Sequence, residues 1–196
     1  MQNLWQGTAT GNTQKHLAMQ PEKIIERYYA QQPTLMALLL GHSRQVAQKA
    51  MEVLDAHPEI KADRTFVHEA AMLHDIGILR TNAPGICCTG TEPYICHGRL
   101  GAEILRHEGL PAHARVAERH TGTGLTAETI HNQGLPLPAM DLVPETIEEQ
   151  IVCYADKFFS KSHPEKAKTT EQVRQMLSRF PDADLDRWDR WVALFG

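Results

Sequence analysis

The stretch Leu73-His74-Asp75-Ile76-Gly77 decides how this chain folds and what it holds. Upstream of it, Val67, Ala70 and Ala71 lie on one helical stripe, and His74 continues that stripe. The His74 imidazole therefore faces a core, with the Asp75 carboxylate beside it at the helix end and Gly77 placed to stop the helix. A buried imidazole or carboxylate without a partner is costly, and a buried charge costs far more. Both groups need something to meet inside the fold.

Working outward, the same pattern recurs at four more positions. His42 shares a face with Leu35, Leu39, Val46 and Val53, and His97 aligns with Leu100, Gly101 and Ile104. His120 follows Val116 and Ala117 at the end of its helix. Asp156 is bracketed by Val152 and Phe159, in a helix whose stripe includes Ile147, Ile151 and Ala155. A lone inward histidine is more often a hydrogen-bonded core residue than a ligand. Four inward histidines and two inward aspartates are hard to satisfy pairwise, and a divalent metal site satisfies them together. Neutral imidazole with carboxylate suits Fe, Mn, Zn, Ni or Co, and Asp75 has two oxygens with which to bridge two ions.

Helical signals dominate the rest of the chain and predict an all-α fold, with a single domain over 21–196 and a flexible arm over 1–20 that is rich in Gly, Thr, Gln and Asn. Pro21 and Pro33 suit first helical positions, opening helices to about Ala30 and about Ala56. Asp63 is placed to cap a helix from Arg64 to Asp75. Further helices fit Ile95–His107, Ala112–His120, Pro144 to about Lys161, Thr170–Arg179 and Asp184–Phe195. The segments Thr81–Pro93 and Gly122–Pro144 read as loops, and no strand or internal repeat competes.

At 196 residues the chain is long enough to bury a real core. The formal net charge of -4 lacks the basic excess of a nucleic-acid-binding surface, so no nucleic-acid partner is expected. Eleven histidines are a surplus in keeping with metal binding. The best apolar run, Leu35–Leu40, is far too short for a membrane span, and the opening residues lack a signal-peptide pattern, so a cytoplasmic location is the expectation. Cys87, Cys88, Cys96 and Cys153 match no zinc-ribbon spacing and read as ordinary reduced thiols.

The order His42, His74-Asp75, Asp156 resembles the HD superfamily of metal-dependent phosphohydrolases, and Leu73–Gly77 is similar to its HDIG subgroup. The resemblance runs from about Leu39 to Lys161 and implies an HD-type helical bundle. His97 before Gly98, and His120 before Thr121, are similar to members that hold two metals, such as the symmetrical dinucleoside-tetraphosphate hydrolases. By that resemblance His42, His74, Asp75 and Asp156 hold one ion, and Asp75, His97 and His120 the second. This chain departs from those hydrolases in Ile76-Gly77 after the pair and in the longer loop before Asp156.

The resemblance implies cleavage of a small phosphoester or nucleotide by a metal-bound hydroxide, with no Ser or Cys nucleophile. Asp75 then bridges, while Lys157, Arg80 and the Thr121–Gly124 backbone are candidates to neutralise the phosphoryl group, and His113 to line the mouth. Two other readings stay open: an HD module that binds a nucleotide without turnover, and a di-iron oxygenase of the same fold. The substrate, the choice among these metals and the oligomeric state are not specified at this level.

Overall fold

Proline at a first helical position has no N–H bond to lose and a φ already suited to the helix. Pro21 and Pro33 take that place in α1 (Pro21–Tyr29) and α2 (Pro33–Ala56) of the computed structural model, which describes residues 19–163, 165–180 and 184–196. The arm expected over 1–20 lies outside the described residues except for Met19 and Gln20. Asp63 caps α3 (Arg64–Leu73), its carboxylate accepting from the Phe66 N–H. A 3₁₀ turn over Ile76–Arg80 leads into β1 (Thr81–Ala83), β2 (Cys88–Thr89) and β3 (Glu92–Pro93). Then come α4 (His97–His107), α5 (Pro111–Arg119), α6 (Ala127–Asn132), α7 (Ile147–Asp156), α8 (Thr170–Leu177) and α9 (Leu185–Phe195).

The class is all-α, with one small sheet that corrects the strand-free expectation. Its order is β2-β1-β3: β1 runs antiparallel to β2, with Asn82 opposite Thr89, and parallel to β3, with Thr81 opposite Glu92. Strands of two or three residues are too short to show alternation, and Pro93 is tolerated because β3 is an edge strand. The helix expected from Pro144 to Lys161 is shorter at both ends. Thr146 and Glu149 form a capping box that sets its start, and it ends at Asp156. Within the supposed loop Gly122–Pro144, the Thr126 hydroxyl accepts from Thr129 N–H and starts α6.

Two apolar clusters carry the packing. One gathers Val46, Val67, Tyr154 and Trp188, and the other Ile25, Tyr29, Leu39, Ile76 and Leu105. Tyr154 stacks on Trp188 with ring centroids 5.2 Å apart. His42 falls between Leu39 of one cluster and Val46 of the other, so α2 carries its polar residue at the seam. Tyr29 ties the second cluster to the 3₁₀ turn: its hydroxyl donates to Ile76 O at 2.9 Å and accepts from Leu79 N at 3.2 Å.

Gly77 does not end a helix with a left-handed residue, as expected from the sequence, and α3 already stops at Leu73. It is needed for close approach: a Cβ there would lie 2.1 Å from His97 O and 2.3 Å from Gly101 N. Only glycine lets the turn after Asp75 press against the start of α4. Gly77→Ala is expected to cost about 1–3 kcal/mol by overpacking. Gly41→Ala, where a Cβ meets nothing within 4 Å, is expected to be neutral or slightly stabilising. Denaturant unfolding of both variants checks this contrast.

Candidate metal centre

Five helices bring six side chains to the seam. His42 comes from within α2, His74 and Asp75 from just past α3, and His97 from the first residue of α4. His120 follows α5, and Asp156 is the last residue of α7. All six are buried, from 0% exposed at His74 and Asp75 to 8% at Asp156. Asp75 lies at the middle. Its Oδ2 is 3.2 Å from His42 Nε2 and 3.0 Å from His74 Nε2, while its Oδ1 is 3.5 Å from His97 Nε2 and 3.4 Å from His120 Nε2. Asp156 Oδ1 stands 3.0 Å from His42 Nε2 and 3.5 Å from His74 Nε2. The donor atoms form two sets, each within 4.8 Å: His42, His74, Asp75 and Asp156, and then Asp75, His97 and His120.

The proton positions show what this arrangement lacks. Nδ1 of His74, His97 and His120 lies 2.6, 2.7 and 2.7 Å from the carbonyl oxygens of Ala71, Tyr94 and Ala117, each three residues earlier. A carbonyl only accepts, so each Nδ1 carries the proton, and Nε2 of a neutral ring is left with a lone pair. His97 Nε2 and His120 Nε2 then face each other at 3.0 Å, with an oxygen of Asp75 close to both. Both oxygens of Asp75 and Nε2 of His74 are buried without a hydrogen-bond partner. The 3.0 Å approach of His74 to Asp75 is near enough for an ion pair but misaligned for a hydrogen bond. A set of buried acceptors all aimed inward fits a divalent cation.

Charge follows the same logic. Burial would raise the Asp75 pKa, but Lys161 and His74 hold it well below the usual carboxylate range. Burial opposes charge on His74 too, yet Asp75 and Asp156 lift it to about 9, so without a cation its Nε2 also takes up a proton, one that a metal ion would displace. Burial and then the neighbouring His120 push His97 down to about 3, so that ring stays neutral. Burial lowers His120 as well.

The surrounding residues divide. Lys157 is buried, and its ammonium donates to Asp156 Oδ2 at 2.7 Å and to His120 O at 2.9 Å. Lys161, which the sequence reading missed, lies 2.5 Å from Asp75 Oδ2. It follows the end of α7, where helical periodicity no longer reports direction. Arg80 is not brought to the site: its half-exposed guanidinium pairs with Glu103 at 3.3 Å. His113 is not at the mouth either, since its ring bonds Glu69 at 3.3 Å and packs edge-on to Phe66. The four cysteines are free thiols, and Cys153 donates to His120 O at 3.2 Å. Among the described residues no helix is long and apolar enough to cross a membrane.

Two clefts open beside the centre. One, of about 530 Å³, runs from Ala83–Ile86 past Tyr94 to Asp156, Lys157, Lys161 and Lys168. The other, of about 370 Å³, is walled by Thr121–Leu125, Leu135, Leu177 and Phe180, with Tyr94 and His97 at its base. Tyr94 stacks on the His97 ring at 4.8 Å and is shared by both clefts. Buried Arg119 donates to Val143 O at 2.7 Å.

Residues 39–160 match the model of the HD domain family. The chain is 40% identical over 149 residues to a tRNA (cytidine(56)-2'-O)-methyltransferase of Picrophilus torridus, covering 76% of this chain and 37% of that protein. The namesake protein of Thermoplasma volcanium is 37% identical over 123 residues, covering 62% and 32%. The chain thus spans about a third of the length of these curated relatives. An uncharacterized protein of Methanocaldococcus jannaschii is 38% identical over 121 residues, covering 60% of this chain and 64% of that protein. Among solved structures, the HD domain of the L. monocytogenes phosphodiesterase PgpH superposes with a TM-score of 0.52 at 19% identity, covering 88% of this chain and 86% of that chain. The same domain in complex with cyclic-di-AMP also gives 0.52. At that identity the likeness is one of fold.

Because Asp75 belongs to both donor sets, Asp75→Ala is expected to abolish metal retention, whereas His120→Ala should remove only the ion on its own side. Plasma mass spectrometry of anaerobically purified protein reads the content, with circular dichroism confirming intact helices. Wild-type metal content in Asp75→Ala would rule the arrangement out.

Proposed function

The chain belongs to the HD domain family, and we propose that it is a metal-dependent phosphohydrolase acting on a small phosphoester or nucleotide at a two-ion centre. The observation that carries this is the divided Asp75 carboxylate, with one oxygen toward His42 and His74, the other toward His97 and His120, and no hydrogen bond to either. In this reading His42, His74, Asp75 and Asp156 hold one ion, and Asp75, His97 and His120 the other. Divalent ions held there would supply Lewis acidity, enough to bring the pKa of a water near neutrality and to offset phosphoryl charge.

The chain's own residues position and charge the site. Backbone bonds to Nδ1 keep the Nε2 lone pairs of His74, His97 and His120 turned inward. Lys157 orients Asp156 and ties it to the His120 carbonyl, which makes it a positioning residue. Lys161 sits where the 530 Å³ cleft meets Asp75 and adds positive charge facing a phosphoryl group. The methyl-transfer activity named for the two archaeal relatives belongs to proteins of which this chain spans about a third, and it is not carried over.

Protein loaded with Mn²⁺ or Fe²⁺ and offered p-nitrophenyl phosphate, its bis-ester and a nucleotide panel is expected to release inorganic phosphate or the alcohol. Asp75→Ala should lower kcat at least about 1000-fold, and Lys157→Met about 10- to 100-fold with KM little changed. Oxygen uptake without phosphoester cleavage would instead identify an oxygenase, and nucleotide binding without turnover a binding module.

A further inference from the structure

The 530 Å³ cleft carries more positive charge than the centre uses. Among the described residues lining it, one carboxylate, Asp156, faces three ammonium groups, Lys157, Lys161 and Lys168. Lys157 is committed to Asp156 and Lys161 to Asp75. Lys168 has no carboxylate or carbonyl partner for its ammonium among the described residues, although its backbone N–H, bonded to Phe158 O at 2.8 Å, anchors it beside the end of α7. Burial pushes its pKa below the usual lysine value; Asp156 opposes the shift, while Lys157 and Lys161 reinforce it. An ammonium held partly out of water, near two like charges and paired with no carboxylate among the described residues, is relieved by an anion. The neighbouring cleft shares Lys157 but is otherwise more apolar, with Ile95, Leu125, Leu135, Leu177 and Phe180 along its walls.

We propose that Lys168, backed by Lys161, forms a second anion subsite beside the metal centre, so that the substrate carries a further phosphoryl group next to the one the centre receives. This rests on the phosphohydrolase reading above and narrows its substrate class. The substrate is two-sided: a second phosphate lies in the lysine cleft, and an uncharged, apolar or aromatic part lies against Leu125, Leu177 and Phe180. Lys168 thereby sets specificity by touching the non-reacting phosphate.

The test is calorimetric titration of metal-loaded wild type, Lys168→Ala and Lys168→Arg with inorganic orthophosphate and pyrophosphate. Metal content is measured afterwards, because pyrophosphate itself binds cations. Lys168→Ala should weaken pyrophosphate about tenfold and orthophosphate less than about twofold, and Lys168→Arg should restore most of the loss. Equal weakening of both anions would reduce Lys168 to a diffuse charge and overturn the proposal, as would no weakening of either. Wild type that cleaves phosphoesters yet shows no Lys168-dependent preference sinks the subsite and leaves the hydrolase standing. Lys168-dependent pyrophosphate binding by loaded protein that cleaves no phosphoester supports the subsite and sinks the hydrolase.

Discussion

A carboxylate with no exposed surface, neither oxygen in a hydrogen bond and a single ammonium against one of them, is among the most expensive groups a protein interior can hold. Asp75 is such a group, and much of this fold is arranged around it. The turn after α3 aims it, Gly77 lets that turn press on α4, and Tyr29 fastens the turn from the other side. His42 and His74 then approach one oxygen, and His97 and His120 the other. Apolar packing brings α2, α4 and α5 together, and the position of Asp75 at their seam is what turns four imidazoles toward one point.

Much of this was legible in the chain because helical periodicity reports direction. His42, His97 and Asp156 could be assigned inward from their apolar neighbours alone, and the cap at Asp63 and the proline starts of α1 and α2 lie where local chemistry puts them. What was not legible lies where periodicity stops. Lys161 follows the last turn of α7, so no stripe announces that it reaches Asp75 across 86 residues of chain separation. Arg80 leaves a 3₁₀ turn rather than an α-helix, and its side chain goes to Glu103. The strands and α6 are too short to impose a period, and their partners are distant in sequence.

The same division separates the shared from the particular. The HD match spans 39–160, which includes all six centre residues and Lys157. Lys161, Lys168, Leu177 and Phe180 lie beyond it and line the clefts. The polar centre is thus built by the helices of the common fold, whereas the cleft walls beside it are built partly by the two irregular segments and partly by the chain after Ser160.

The seam between the two apolar clusters has a thermodynamic consequence. The six inward donors come from helices that pack in different clusters, with Val67 of α3 and Tyr154 of α7 in one and Leu105 of α4 in the other. A cation held by these donors cross-links both halves and has no comparable site in the unfolded chain. Folding stability would then be tied to free metal, rising by about 2.7 kcal/mol when the ion stands at 100 times its dissociation constant. The melting temperature would then report how much of the protein holds its ion.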